Sequence, residues 1–165
     1  MRTRLFFPAL VFALTLHSAL ASCQQLTVQN ETGKQTVLTR ADIEALPRVK
    51  VTTNASGPTS STAATFEGVP LKALLDRAGI GSSEPMKGKR MASCLLVEAA
   101  DGYRVVIALP EIDPAFTDKQ VALAFLKDGK PLDAKEGPYR IVIPDEKRMA
   151  RWVRQVTTLK IVEVQ

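Results

Sequence analysis

Four groups of residues in this 165-residue chain have side chains suited to chemistry. The first is basic: Arg140, then Lys147, Arg148, Arg151 and Arg154 around Trp152. Guanidinium groups at that density bind oxyanions through charge-assisted hydrogen bonds, so a small anionic ligand such as a phosphate is one expectation. The other is a solvated basic face with Arg140 paired to a carboxylate such as Glu136 or Asp145. The second group is Asp101-Gly102-Tyr103, a turn followed by an aromatic with a polar tip, from which Tyr103 is a candidate ligand contact. The third is Glu111 and Asp113, a carboxylate pair beside Pro110 and Pro114 that could serve as acid and base; capping and loop solvation are the expected roles. The fourth is the two cysteines, Cys23 and Cys94.

What is missing narrows the chemistry further. Residues 1–22 read as an export signal, with Arg2 and Arg4 as its charged start, Leu5 to Leu16 as a short apolar stretch and Ala19-Leu20-Ala21 as a small-residue exit. The end of this leader admits two readings. Ala19-Leu20-Ala21 suits cleavage before Ser22, whereas Leu20-Ala21-Ser22-Cys23 resembles a bacterial lipobox and would make Cys23 the lipidated first residue. A periplasmic, membrane-anchored lipoprotein is the expectation, with free secretion as its alternative. His17, the only histidine, leaves with the leader. A mature chain without histidine has no Ser-His-Asp triad, no Cys-His pair and no histidine metal site. Cys94 then reads as a small buried hydrophobe, with a Cys23–Cys94 disulfide as the alternative in an oxidising compartment.

Loss of Arg2 and Arg4 lowers the formal net charge from +5 to +3, and only six aromatics remain: Phe66, Tyr103, Phe116, Phe125, Tyr139 and Trp152. No basic run interleaves with them, so nucleic acid is not an expected partner.

The elements that must position these groups follow from periodicity and turn signals. Gln25 to Gln29 and Gln35 to Leu38 read as an edge hairpin, too polar for central strands. Thr39 with Asp42 caps a short helix that Pro47 ends, and Val49 to Thr53 is a half-buried strand. A polar loop, Asn54 to Ser61, follows. Phe66 to Leu71 leads into a helix with Leu71, Leu74, Leu75 and Ala78 on one face and Gly79 at its stop. Gly81 to Arg90 reads as loop. Ser93 to Ala99 and Tyr103 to Leu109 form a hairpin on Asp101-Gly102, and a helical turn follows at Pro110 to Pro114. Val121 to Leu126, Tyr139 to Pro144 and Thr157 to Val164 are further strands, and Lys147 to Val153 is a short basic helix or an extended arm. The sum is one β-rich α+β domain over residues 23–165.

The order of motifs carries a resemblance. Phe66-Glu67-Gly68-Val69-Pro70-Leu71 with Leu74-Leu75, Ala100-Asp101-Gly102-Tyr103, Asp128-Gly129-Lys130-Pro131-Leu132, Gly137-Pro138-Tyr139-Arg140-Ile141-Val142-Ile143-Pro144 and Arg151-Trp152-Val153 together resemble the sulfite-oxidase-like molybdopterin-binding domain, over roughly Leu38 to Val164. The resemblance implies mixed sheets with a few short helices. It also implies a molybdenum held by pterin sulfurs and by one protein cysteine in the loop that is Thr52 to Thr65 here. That loop holds hydroxyls and no cysteine, and a hydroxyl does not replace a soft thiolate. Glu136 stands where the family commonly has a histidine, while Arg140, Arg148 and Arg151 match its basic positions. The resulting expectation is an exported, molybdopterin-binding-domain-like protein that binds an anionic ligand or a degenerate pterin without molybdenum redox chemistry. No bound cofactor is expected, with molybdopterin held open. The alternatives are a true molybdopterin oxidoreductase and a partner-docking lipoprotein.

Overall fold

The structure is a computed structural model describing residues 24–53, 63–80 and 86–163. The leader, Cys23, residues 54–62 of the polar loop and residues 81–85 lie outside the described residues. The strands are β1 (Leu26–Gln29), β2 (Gln35–Leu38), β3 (Val49–Thr53), β4 (Ala64–Pro70), β5 (Cys94–Ala99), β6 (Arg104–Ala108), β7 (Ala122–Lys127), β8 (Lys130–Pro131), β9 (Arg140–Val142) and β10 (Val156–Val162). They form two sheets with a few short helices. The first is ordered β2-β1-β10-β5-β6, and the second β3-β4-β7-β8 with β9 also paired to β7. Only the β1–β10 pairing is parallel.

Alternation explains the first sheet. Leu95, Val97 and Ala99 of β5, Leu159 and Ile161 of β10, and Leu26 and Val28 of β1 all point into the core. Their intervening neighbours face out, as a sheet covered on one side requires. β1 and β2 do form a hairpin, but β1 is not the edge strand that its polarity suggests. It lies between β2 and β10, because two buried residues at period two suffice when only one face is covered. β6 is less buried than its apolar sequence implies: it closes the sheet edge, and Val106 is 54% exposed.

In the second sheet β7 is the spine, and its residues from Ala122 to Phe125 are all buried. The Gly-Val-Pro-Leu motif lies against it. A Cβ at Gly68 would come within 2.1 Å of the Leu123 carbonyl oxygen, so only glycine permits this approach of β4 to β7. Helix α1 (Arg40–Glu44) begins at a capping box in which the Thr39 side chain accepts from the Asp42 N–H and Asp42 accepts from the Thr39 N–H. Helix α2 (Leu71–Arg77) buries Leu71, Leu74 and Leu75, and Gly79 at φ +72° ends it.

Three stretches differ from expectation. Gly88–Ala92 is a 3-10 turn, so Gly88 to Arg90 are not loop. Cys94 is half-buried and free, and sits opposite Ala108 and Val162. Lys147 to Val153 contains one 3-10 turn, Met149–Arg151, instead of a longer helix or an arm. This last stretch ties the sheets together. Val153 O accepts from Ile141 N at 2.8 Å, and Val156 N donates to Tyr139 O at 3.0 Å, so β9 is stitched to the chain entering β10.

Gly68→Ala is expected to cost at least about 2 kcal/mol, since backbone and not a movable side chain blocks the methyl. Urea denaturation checks it, and an unchanged midpoint would contradict the close approach of β4 to β7.

Candidate functional site

Arg140 enters the site from β9, where register with Ala124 of β7 fixes its direction. It is only 8% exposed, and a buried guanidinium needs compensation. Glu136, four residues earlier, accepts from Arg140 Nη1, and Lys127 Nζ stands 3.5 Å from the second Glu136 oxygen. The Arg140 guanidinium also lies 5.3 Å from the Phe66 ring centroid and 5.6 Å from that of Trp152. Burial pulls its pKa down, and the Glu136 carboxylate opposes that pull. Its Nε finds no acceptor among the described residues.

Trp152 is 6% exposed and meets Phe66 edge-on, with centroids 5.9 Å apart. Its indole Nε1 is buried with no partner among the described residues. An indole N–H out of water normally has an acceptor, so this donor is one of the site's unmet demands, beside Arg140 Nε and Glu146 Oε2. Trp152 walls two clefts. One, about 290 Å³, is lined by Thr52, Thr53, Asp145, Glu146, Lys147 and Met149 besides Trp152. The other, about 260 Å³, includes Asp101, Tyr103, Met149 and Arg154. A shallower depression of about 470 Å³ shares Thr52 and Asp145 with the first and adds Lys50 and Lys119.

The remaining basic residues are not equivalent. Arg151 is clamped between two carboxylates: Nη1 and Nη2 donate to Glu111 at 3.3 and 3.1 Å, and Nε donates to Glu146 at 2.7 Å. The Glu111 hydrogen bonds are the main reason its pKa is raised. Partial burial pushes Glu111 up, but the Arg151 hydrogen bonds, the Ala108 N–H and the charges of Arg151 and Lys119 outweigh it and hold the carboxyl below its ordinary value. The clamp therefore uses three Arg151 donors that a ligand would otherwise contact. Arg148 is exposed and has no carboxylate partner among the described residues. Tyr103 is half exposed; its hydroxyl donates to Ala150 O at 2.8 Å, and it lines the second cleft.

Arg140, Arg151 and Tyr103 thus converge on the segment from Glu146 to Trp152, while Arg148 stays in solvent. Glu111 acts as cap and clamp, and Asp113 caps Ala115 N at 2.9 Å. Sequence reasoning did not single out Trp152 as a donor, nor Glu146, Met149 or Lys127. The signal available for Trp152 was its place beside the basic residues. The other three become visible only when β7 and the 3-10 turn meet in space. No group of three or more His, Cys, Asp or Glu residues that could hold a metal occurs among the described residues. Cys94 belongs to the first sheet and lines none of these clefts.

The family model described as the oxidoreductase molybdopterin binding domain matches residues 17–165, and the chain belongs to that family. Among solved structures, the sulfane dehydrogenase SoxCD from Paracoccus pantotrophus superposes with a TM-score of 0.63 at 24% identity, covering 86% of this chain and 38% of that one. That likeness establishes the sulfite-oxidase-like fold. The chain therefore spans well under half the length of that neighbour. Among curated proteins, none matches this sequence.

Arg140→Ala is expected to destabilise the protein by about 3 kcal/mol, because Glu136 is left buried with only Lys127 nearby. Chemical denaturation reads the change. Glu111→Gln tests the clamp through pH. A lowered carboxyl pKa contributes stability above the ordinary carboxylate range and loses it as pH falls through the folded value. The variant should be less stable at neutral pH and should lose less stability than the parent on acidification from pH about 6 to about 3. Parallel acid profiles would remove the clamp from the account.

Proposed function

We propose that the cleft at Trp152 binds an anionic, phosphate-bearing ligand of molybdopterin type through hydrogen bonds and charge, without a protein thiolate and without molybdenum redox chemistry. The buried Trp152 Nε1, unpaired among the described residues, carries this reading: it is a donor held out of water at a cleft wall, so an acceptor from a ligand would satisfy it. Lys147 and the Thr52 and Thr53 hydroxyls supply donors at the same cleft, where Arg151 neutralises Glu146 and Asp145 is the remaining carboxylate of the lining. Tyr103 borders the neighbouring cleft, and exposed Arg148 supplies an unpaired cation nearby. Arg140 supports the site from behind, as a neutralised, stacked cation that fixes the indole.

The residues fit the organic part of molybdopterin better than its metal. The polar donors suit phosphate and heterocycle, whereas the sequence of the loop after β3 has no cysteine and Cys94 lies in the other sheet. No step of chemistry is assigned to a molybdenum centre on these residues. Membership of an oxidoreductase family keeps a redox role as the second reading.

We place this domain outside the cytoplasm, with residues 1–22 as an export signal and 23–165 as the mature domain anchored through lipid on Cys23. The Leu20-Ala21-Ser22-Cys23 sequence supports the anchor. No helix among the described residues is long and apolar enough to cross a membrane.

Native mass spectrometry of the protein, exported from a host that makes molybdenum cofactor, tests the reading. A bound pterin lost on Trp152→Phe, which keeps an aromatic ring but removes the N–H, is the expected result. Arg148→Ala should weaken binding at least about fivefold without lowering the melting temperature, as loss of a charge-assisted contact would. Bare polypeptide under all conditions would overturn the proposal, and pterin carrying molybdenum would favour the redox reading.

A further inference from the structure

The face of the second sheet opposite Arg140 carries a cation pair that the cleft does not use. Phe125 is the extra residue where the β4–β7 register shifts between Glu67 and Gly68, and such a bulge re-aims its side chain. The Phe125 ring is 1% exposed and lies beneath two guanidiniums, with Arg40 at 4.6 Å and Arg48 at 5.3 Å from its centroid. Arg40 is also 5.9 Å from the Tyr139 ring. Among the described residues one carboxylate offsets the pair: Glu44 accepts from Arg40 Nε at 2.5 Å. Arg48 is exposed and has no carboxylate partner among the described residues. Two like charges gathered on one ring with a single counter-charge leave a surplus positive charge, and an oxyanion is what balances it.

The place of this pair in the chain decides the source of the anion. The Tyr139 hydroxyl, buried beside Arg40, donates to Gln24 O at 2.9 Å. Burial pushes the Tyr139 pKa up to about 12, so the hydroxyl remains a donor across the physiological range. Gln24 is thus fastened at this face, and the chain places Cys23 one residue before it, about 3.8 Å between Cα atoms. We infer that Arg40 and Arg48 form a docking surface for the phosphate headgroups of an anionic phospholipid leaflet. The surface would act beside a lipid on Cys23, and in that respect the inference rests on the anchor reading. Alternation along β9 sends Tyr139 to this face and Arg140 to the other. A domain seated on Arg40 and Arg48 would present the Trp152 cleft away from the bilayer.

The test uses the full chain with Cys23→Ser, which cannot be lipidated. It is sedimented with vesicles of pure phosphatidylcholine and with vesicles of equal parts phosphatidylcholine and phosphatidylglycerol. Binding to the anionic vesicles only is expected, and Arg48→Ala should reduce it about fivefold, the effect of one basic side chain near an anionic surface. Arg104→Ala, which removes the same charge from β6, should leave it unchanged. Arg48 is exposed, so the variant should melt with the parent; Arg48→Lys, which keeps the charge, should retain binding. Equal binding to both vesicles, or an equal loss with Arg104→Ala, would overturn the inference. Displacement by millimolar inorganic phosphate at constant ionic strength would assign the site to free phosphate and overturn it as well. The mass of the amino-terminal peptide from cells reports the anchor separately. Headgroup binding without acyl chains would keep the docking surface and remove the anchor, whereas acyl chains without headgroup binding would do the reverse.

Discussion

A guanidinium taken almost wholly out of water must be compensated on every side, and the second sheet is arranged around that requirement at Arg140. Glu136 supplies the counter-charge, Phe66 and Trp152 supply aromatic faces, and Lys127 sits where it balances the remaining Glu136 oxygen. These partners come from β4, β7, the turn before β9 and the chain before β10. Satisfying one cation therefore fixes the relative positions of four segments that are far apart in sequence. A hydrophobic residue would pack there with less demand, but it would not hold the indole of Trp152 in one orientation at the cleft wall.

The segment from Glu146 to Trp152 depends on a second charge arrangement. Glu111 caps the 3-10 turn after β6 through Ala108 N and at the same time receives two Arg151 donors. Glu146 receives the third, and the Tyr103 hydroxyl holds Ala150 O. The first sheet thus grips a segment that serves the second, and that grip occupies Arg151 and the Ala150 carbonyl. Three basic residues that look alike in sequence consequently differ in use: Arg140 is buried and neutralised, Arg151 is clamped, and Arg148 is exposed.

The separation of charge between the two faces of the second sheet follows from strand alternation. Arg140 and Phe66 belong to the cleft side, whereas Tyr139 and Phe125 turn to the side where Gln24, Arg40 and Arg48 gather. The Trp152 cleft and the chain entry therefore lie on different faces and share no residue.

The sequence by itself determined the local elements and the family. Thr39 and Asp42 announce a capped helix, Asp101-Gly102 announces a hairpin, and Gly79 announces a helix stop, because each feature is settled by bonds or dihedrals within a few residues. The ordered motifs from Phe66 to Trp152 carried the fold for the same reason: each is a local solution repeated at the family's spacing. Tertiary structure alone decided the fate of the charges and the placement of β1. Whether Arg140 or Arg151 faces ligand or carboxylate depends on Glu136, Glu111 and Glu146, and Glu111 meets Arg151 only because 3-10 turns from different parts of the chain are brought side by side. β1 is interior because β10, about 130 residues later, pairs with it, a contact that no property of Leu26 to Gln29 can reveal. Side-chain type fixes what a residue can bond, but long-range packing fixes which partner reaches it first.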